Sequence, residues 1–166
     1  MEDMMGLLRI RVRRGMNLIS RDSSGSDPFV VVTMAHQKLK TRVVKNHCNP
    51  EWNEELTLSI KDITTPIKLT VYDKDTFTVD DALGEAEIDI KPFVECIRAG
   101  TENLPDGTTI CSVHPNEENC LDDESVVMWN KGKITQDMFL RLKNVKSGKV
   151  EIQIEWIDVP GGKGLR

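Results

Sequence analysis

Four aspartates stand within nine positions, Asp73, Asp75, Asp80 and Asp81. Carboxylates this crowded repel one another at neutral pH unless a cation, solvent or a partner relieves them, so the cluster is a candidate site. Oxygen-only donors on a loop suit a hard divalent cation, and calcium in particular, which accepts six to eight oxygens in loose geometry; magnesium uses fewer carboxylates and keeps its waters. The spacing excludes a helix-loop-helix calcium loop. Counted from Asp73, its third ligand place falls on Phe77, its turn glycine on Thr78 and its terminal glutamate on Gly84.

The cluster must therefore be carried by strands. Ile67, Leu69 and Val71 alternate with Lys68, Thr70 and Tyr72, the two-residue period of a half-buried strand that ends where the aspartates begin. The same period recurs over residues 7–14, 38–44, 56–60, 82–90 and 150–156. Residues 29–35 form a near-continuous apolar run of strand length, and residues 139–142 supply one more strand. These eight segments predict an all-β fold, an eight-stranded antiparallel sandwich in which residues 144–148 make a hairpin. Residues 91–137 lack sustained alternation and are longer than a sandwich connection needs, so they are read as an insertion before the seventh strand. Pro92, the apolar spacing of Phe93, Val94 and Ile97, and Gly100 as a stop predict one short helix there. The Gly-rich end, from Pro160 to Arg166, is expected to fray.

The 166 residues suit one domain, 1–166, and a composition of 39% hydrophobic and 30% charged residues is that of a soluble globular protein. A net charge of -5 argues against nucleic-acid binding, which needs a basic stripe. Neither a signal peptide, a transmembrane run nor a lipidation motif is recognisable, so the sequence predicts a cytosolic or nuclear protein whose membrane contact is reversible, with Cys48, Cys96, Cys111 and Cys120 as free thiols. Cys111, His114 and Cys120 lack the fourth ligand of a zinc site, and no nucleophile elbow or phosphate loop is present. Lys38, Lys40 and Arg42 fall on one strand face, either a solvated edge or a surface for acidic headgroups.

Asp22 and Asp27 in one loop, Ser26-Asp27-Pro28-Phe29, the turn Asn49-Pro50-Glu51-Trp52-Asn53, and Asp73, Asp75 and Asp81 ahead of Leu83-Gly84 resemble the C2 domain, a calcium-dependent phospholipid-binding sandwich. The resemblance implies side-chain calcium ligands at Asp22, Asp27, Asp73, Asp75 and Asp81, backbone carbonyls from Arg21 and Lys74, and two Ca2+ ions. Asp80 is left solvated or in support. The first strand leads directly into the first aspartate loop, as in the type II topology of the family. The family's cationic groove maps onto Lys40, Arg42 and Tyr72, although Val31 and Thr33 stand where strong phosphoinositide binders carry lysine. Phe77 and Val79 lie at the loop tip; once the charge is neutralised they either dip into the bilayer interface or, for Phe77, pack beneath the loop.

The long insertion in a small C2 protein resembles the plant C2-domain abscisic-acid-related (CAR) proteins. That resemblance implies an adaptor, not itself an enzyme, that brings abscisic-acid receptors of the PYR/PYL type to the plasma membrane when calcium rises. Cytoplasm, peripheral plasma membrane and nucleus are the implied locations. The alternative is an activator of a YchF-type (Obg-like) GTPase, with Arg98 and Arg141 as candidate basic residues. Met128 and Trp129 in the insertion are either partner-binding anchors or a patch on the sandwich edge.

Overall fold

The computed structural model describes residues 3–20, 25–74, 79–100 and 102–165. Ten strands and one helix follow in the order β1 (Gly6–Met16), β2 (Pro28–Met34), β3 (Gln37–Lys40), β4 (Glu51–Ile60), β5 (Lys68–Asp73), β6 (Asp81–Glu87), α1 (Lys91–Arg98), β7 (Thr108–Val113), β8 (Ser125–Asn130), β9 (Lys133–Arg141) and β10 (Lys149–Ile157). One sheet has the order β4-β1-β10-β9-β8-β7 and the other β3-β2-β5-β6, with every pairing antiparallel.

The two-residue period decides what lies between the sheets. Leu8, Ile10 and Val12 of β1, Val30 and Val32 of β2, Leu69 and Val71 of β5, and Val150, Ile152 and Ile154 of β10 are all fully buried and belong to one apolar cluster. Burial at roughly 25 cal/mol per Å2 of apolar surface is what drives the layers together. Trp52 is also fully buried, and its indole Nε1 donates to the Pro28 carbonyl at 3.1 Å, joining β4 to the start of β2.

Four expectations are corrected. The described residues hold ten strands rather than eight, because the insertion supplies β7 and β8, which extend the larger sheet beyond β9. Strand β9 also begins at Lys133, inside the predicted insertion. Its inward row includes Gln136, only 1% exposed, whose Nε2 donates to Ser125 Oγ at 2.9 Å. A polar residue in a buried row breaks the hydrophobic alternation while a cross-strand hydrogen bond makes it tolerable. Strand β3 stops at Lys40 because Thr41 turns back onto β2: its Oγ1 accepts from Val30 N and its amide donates to Val30 O, both at 2.9 Å. The glycine-rich tail is folded down. Lys163 N and Gly164 N donate to Met4 O and Met5 O, Arg98 Nε donates to Leu165 O at 2.7 Å, and Leu165 is buried.

The predicted helix is present as α1. Pro92 lies in its first turn, Gly100 follows at φ 74°, and Phe93, Val94, Cys96 and Ile97 are buried.

The thiols differ in environment. Cys48 is exposed and Cys120 is buried, whereas burial, reinforced by a hydrogen bond with the Cys111 thiol, pushes Cys96 up to about 12. Because the thiolate is the reactive form, maleimide labelling of the native protein at pH 8 is expected to modify Cys48 within minutes and to leave Cys96 and Cys120 intact until denaturant is added. Mass spectrometry of timed digests checks this, and rapid native labelling of Cys96 contradicts it.

Candidate functional site

The aspartates collect at one end of the smaller sheet because the register puts them there. Pro28 pairs with Asp73 across β2 and β5, and Asp73 pairs with Asp81 across β5 and β6. Asp27 immediately precedes Pro28, so three carboxylates from three neighbouring chain segments meet at one pole. Asp73 is 7% exposed, and its Oδ1 accepts the Asp27 amide at 2.8 Å. Asp27 Oδ1 accepts the Asn46 amide at 2.8 Å, and Lys74 N donates to Asp27 O at 3.0 Å. Each of these two carboxylates is thus fixed through one oxygen by a backbone N–H, a charge-assisted bond that orients it before any ion arrives. Ser26 is fully buried beneath, its hydroxyl donating to Ile19 O at 3.2 Å.

Arg21, Asp22, Asp75 and Phe77, also predicted for this site, lie outside the described residues. Among the described residues no three His, Cys, Asp or Glu side chains close into a metal-binding group. Asp80, read from the sequence as support, is 3.6 Å from Lys74 Nζ, while Asp81 is exposed on β6. Val79 is 87% exposed beside them. The donors present are carboxylate oxygens, a set that fits a hard cation and offers nothing to a soft one. The other cluster that invited a metal is dispersed: Cys120 Sγ accepts the Glu87 amide at 3.5 Å, whereas the His114 side chain is 76% exposed, 3.8 Å from Glu124.

The smaller sheet also carries the cationic row. Lys40 stands opposite Val31, and Val31 opposite Thr70; Lys38 stands opposite Thr33, and Thr33 opposite Lys68, all on the face turned away from the core. Tyr72 shares that face and stacks on Phe29 with 5.7 Å between ring centroids. Lys68 is a member the sequence reading passed over, although its alternation with Leu69 and Val71 already placed it beside Tyr72. Arg42 leaves the row, since it lies beyond the end of β3; its amide donates to Glu54 Oε1 at 2.9 Å and its guanidinium reaches Glu51 O at 3.4 Å.

The outer face of the larger sheet is electrically self-contained. Arg9 pairs with the largely buried Glu155 at 2.7 Å, Arg11 with Glu55 at 2.8 Å and Arg14 with Glu151 at 2.7 Å. The hydrogen bond from Arg11 holds the Glu55 carboxyl below its usual range. A face whose arginines are already matched has little charge left for an acidic surface.

Met128 and Trp129, read from the sequence as partner-binding anchors or a patch on the sandwich edge, are adjacent on β8 and therefore point to opposite faces of the sheet. Trp129 is in register with Ile134 on the core side, and Met128 with Thr135 on the other.

The chain is similar to known proteins. The C2 domain family model matches residues 6–104. "Protein C2-DOMAIN ABA-RELATED 8" of Arabidopsis thaliana is 61% identical over 161 residues, 97% of this chain and 98% of that protein. "GTPase activating protein 1" of Oryza sativa subsp. indica is 52% identical over 162 residues, covering 98% of each. Among solved structures, a C2 domain of plant Extended Synaptotagmin 1 superposes with a TM-score of 0.62 at 22% identity over 94% of this chain and 97% of that one, a likeness of fold.

Proposed function

The chain belongs to the C2 domain family, and within it to the C2-domain ABA-related proteins; on that premise we propose that it is a calcium-dependent, phospholipid-binding adaptor. In this reading it carries abscisic-acid receptors of the PYR/PYL type to the plasma membrane, modulates abscisic acid signalling and catalyses nothing itself. The observation that carries it is the meeting of Asp27, Asp73 and Asp81 at one pole, with two of the carboxylates pre-oriented by backbone amides at 2.8 Å.

Asp27, Asp73 and Asp81, with Asp22 and Asp75 and the Arg21 and Lys74 carbonyls, would hold two calcium ions. When bound, calcium supplies positive charge and open coordination positions for headgroup oxygens. Five carboxylates against two divalent ions leave the pole close to neutral, so anionic lipid is no longer repelled. Lys38, Lys40, Lys68 and Tyr72 then face acidic headgroups, and Val79, with Phe77, enters the interface. The protein is cytoplasmic and nuclear at rest and peripheral to the plasma membrane when calcium rises.

Calorimetric calcium titration with and without phosphatidylserine vesicles tests this. The apparent calcium affinity is expected to rise on the order of tenfold or more with lipid, because headgroup and ion reinforce each other reciprocally. Equal affinity in both titrations would refute the coupling.

A second reading is activation of a GTPase, which the name of the rice relative favours; we take that GTPase to be of the YchF (Obg-like) type. Of the two arginines considered for it, Arg98 donates to the Leu165 carbonyl, whereas Arg141 is exposed on β9, and this reading assigns the role to Arg141. An adaptor can also be an activator, and the two readings are compatible.

A further inference from the structure

Gln136 is a polar side chain in the inward row of β9 and is 1% exposed. Its Nε2 donates to Ser125 Oγ at 2.9 Å, whereas its Oε1 is buried and accepts no hydrogen bond among the described residues. A buried amide oxygen without a donor is destabilising, so what stands beside it matters.

Gln136 lines a chamber of about 10 Å3. That is close to the smallest space that admits one water molecule. Met138 joins the wall from β9, Val113 from β7, Asn119 and Leu121 from the loop between β7 and β8, and Asp89 from the turn between β6 and α1. With Nε2 committed to Ser125, Oε1 is the polar atom that Gln136 has left to offer there.

The neighbouring polar groups define what fits. Asp89 accepts the Lys91 amide through Oδ1 at 3.0 Å, which leaves its second oxygen as an acceptor. Asn119 is 4% exposed, and its Oδ1 already accepts the Asn116 and Leu121 amides at 3.1 and 3.2 Å. Its Nδ2 gives one of its two protons to His114 O at 2.8 Å and keeps the other. Two acceptors and one donor therefore border the chamber. Calcium and magnesium demand six or more oxygens, and a donor N–H opposes any cation. An apolar occupant would leave Oε1 unpaired. A water molecule donates twice and accepts once, which matches the three groups and the usual number of bonds that a buried water makes.

We infer that one water molecule is bound in this chamber, donating to Gln136 Oε1 and to the Asp89 carboxylate and accepting from Asn119 Nδ2, and that it fastens the β7–β8 loop to β9 and to the start of α1. The loop also reaches β9 through the Leu121–Leu140 bridge, and its Cys120 Sγ accepts the Glu87 amide at 3.5 Å; the water links the polar side of the same junction. Strand β6 runs from Asp81 at the aspartate pole to Glu87, so the site lies past its far end and does not rest on calcium.

A high-resolution crystal structure of the full chain tests the site. One peak of density within hydrogen-bond reach of Gln136 Oε1, Asp89 and Asn119 Nδ2 is expected, with no anomalous signal after a rubidium soak. No density there, or an anomalous peak marking a monovalent cation, would overturn the inference. In solution, oxygen-17 magnetic relaxation dispersion counts long-lived waters. With calcium chelated, Gln136→Met, which removes the oxygen, and Val113→Ile, which adds a methyl group to the chamber wall, are each expected to lose one such water relative to the parent. An unchanged count in both variants contradicts the site. Hydrogen exchange reads the fastening: the Leu121 amide, held by Asn119 Oδ1, should exchange about tenfold faster in Gln136→Met while the β1 amides keep their protection. Equal exchange at Leu121 in variant and parent would show that the water fastens nothing. Should Gln136→Met fail to fold, Val113→Ile and the parent crystal structure still decide.

Discussion

The double variant Asp27→Asn, Asp73→Asn is expected to lose calcium-dependent sedimentation with phosphatidylserine vesicles altogether. Asparagine keeps the volume of aspartate and an oxygen that can accept the Asn46 and Asp27 amides, so the local hydrogen bonds survive while two negative charges disappear. Ligand charge count is what tunes calcium affinity over orders of magnitude, and losing two of five carboxylates should lower it by about 100-fold or more. The same change relieves like-charge repulsion at the pole in the absence of calcium. The apo protein should therefore melt no earlier than the parent, which separates a lost site from a lost fold. Calcium-dependent sedimentation that persists in a variant melting like the parent would place the ions elsewhere.

Trp52→Ala is expected to be the most destabilising single change. The side chain is fully buried, its ring packs against Gly15, and its Nε1 donates to the Pro28 carbonyl at 3.1 Å. Truncating a buried tryptophan costs about 3–5 kcal/mol in lost transfer energy and cavity, a large part of the roughly 5–15 kcal/mol that holds a domain folded. Trp52→Phe refills most of the space but leaves the Pro28 carbonyl without its donor, at about 1–3 kcal/mol. Urea unfolding monitored by circular dichroism gives both values. A loss under about 1 kcal/mol for the alanine variant would show that Trp52 is not the pin between β4 and β2. Because Pro28 follows Asp27 directly, the phenylalanine variant is also expected to bind calcium more weakly than its small stability loss suggests.

The residues differ in how much of this their sequence revealed. Two-residue alternation identified the inward rows of β1, β5 and β10 because in a strand the side-chain direction is set locally, whatever the strand pairs with. Pro92 and Gly100 delimited α1 for the same reason, since each acts on its own backbone torsions. β7 and β8 escaped notice: β7 is only half-covered, the buried row of β8 begins with the polar Ser125, and the polar loop between them, organised by Asn116 and Asn119, reads in sequence as an acidic loop. The buried Gln136 concealed the first half of β9 because its compensating partner, Ser125, is eleven residues away.

What the sequence determined by itself was the inventory: an all-β chain, aspartates at strand ends, a cationic row and a family pattern, all written in residue type and short-range spacing. Only the tertiary structure decided which of these share a surface. It set Asp27 against Asp73, added Lys68 to the lysine row and removed Arg42, divided Met128 from Trp129, and folded the glycine-rich tail back onto Met4, Met5 and Arg98. Each depends on strand register or on a contact between distant segments, and those are fixed by the cooperative burial of the whole core rather than by any local run of residues.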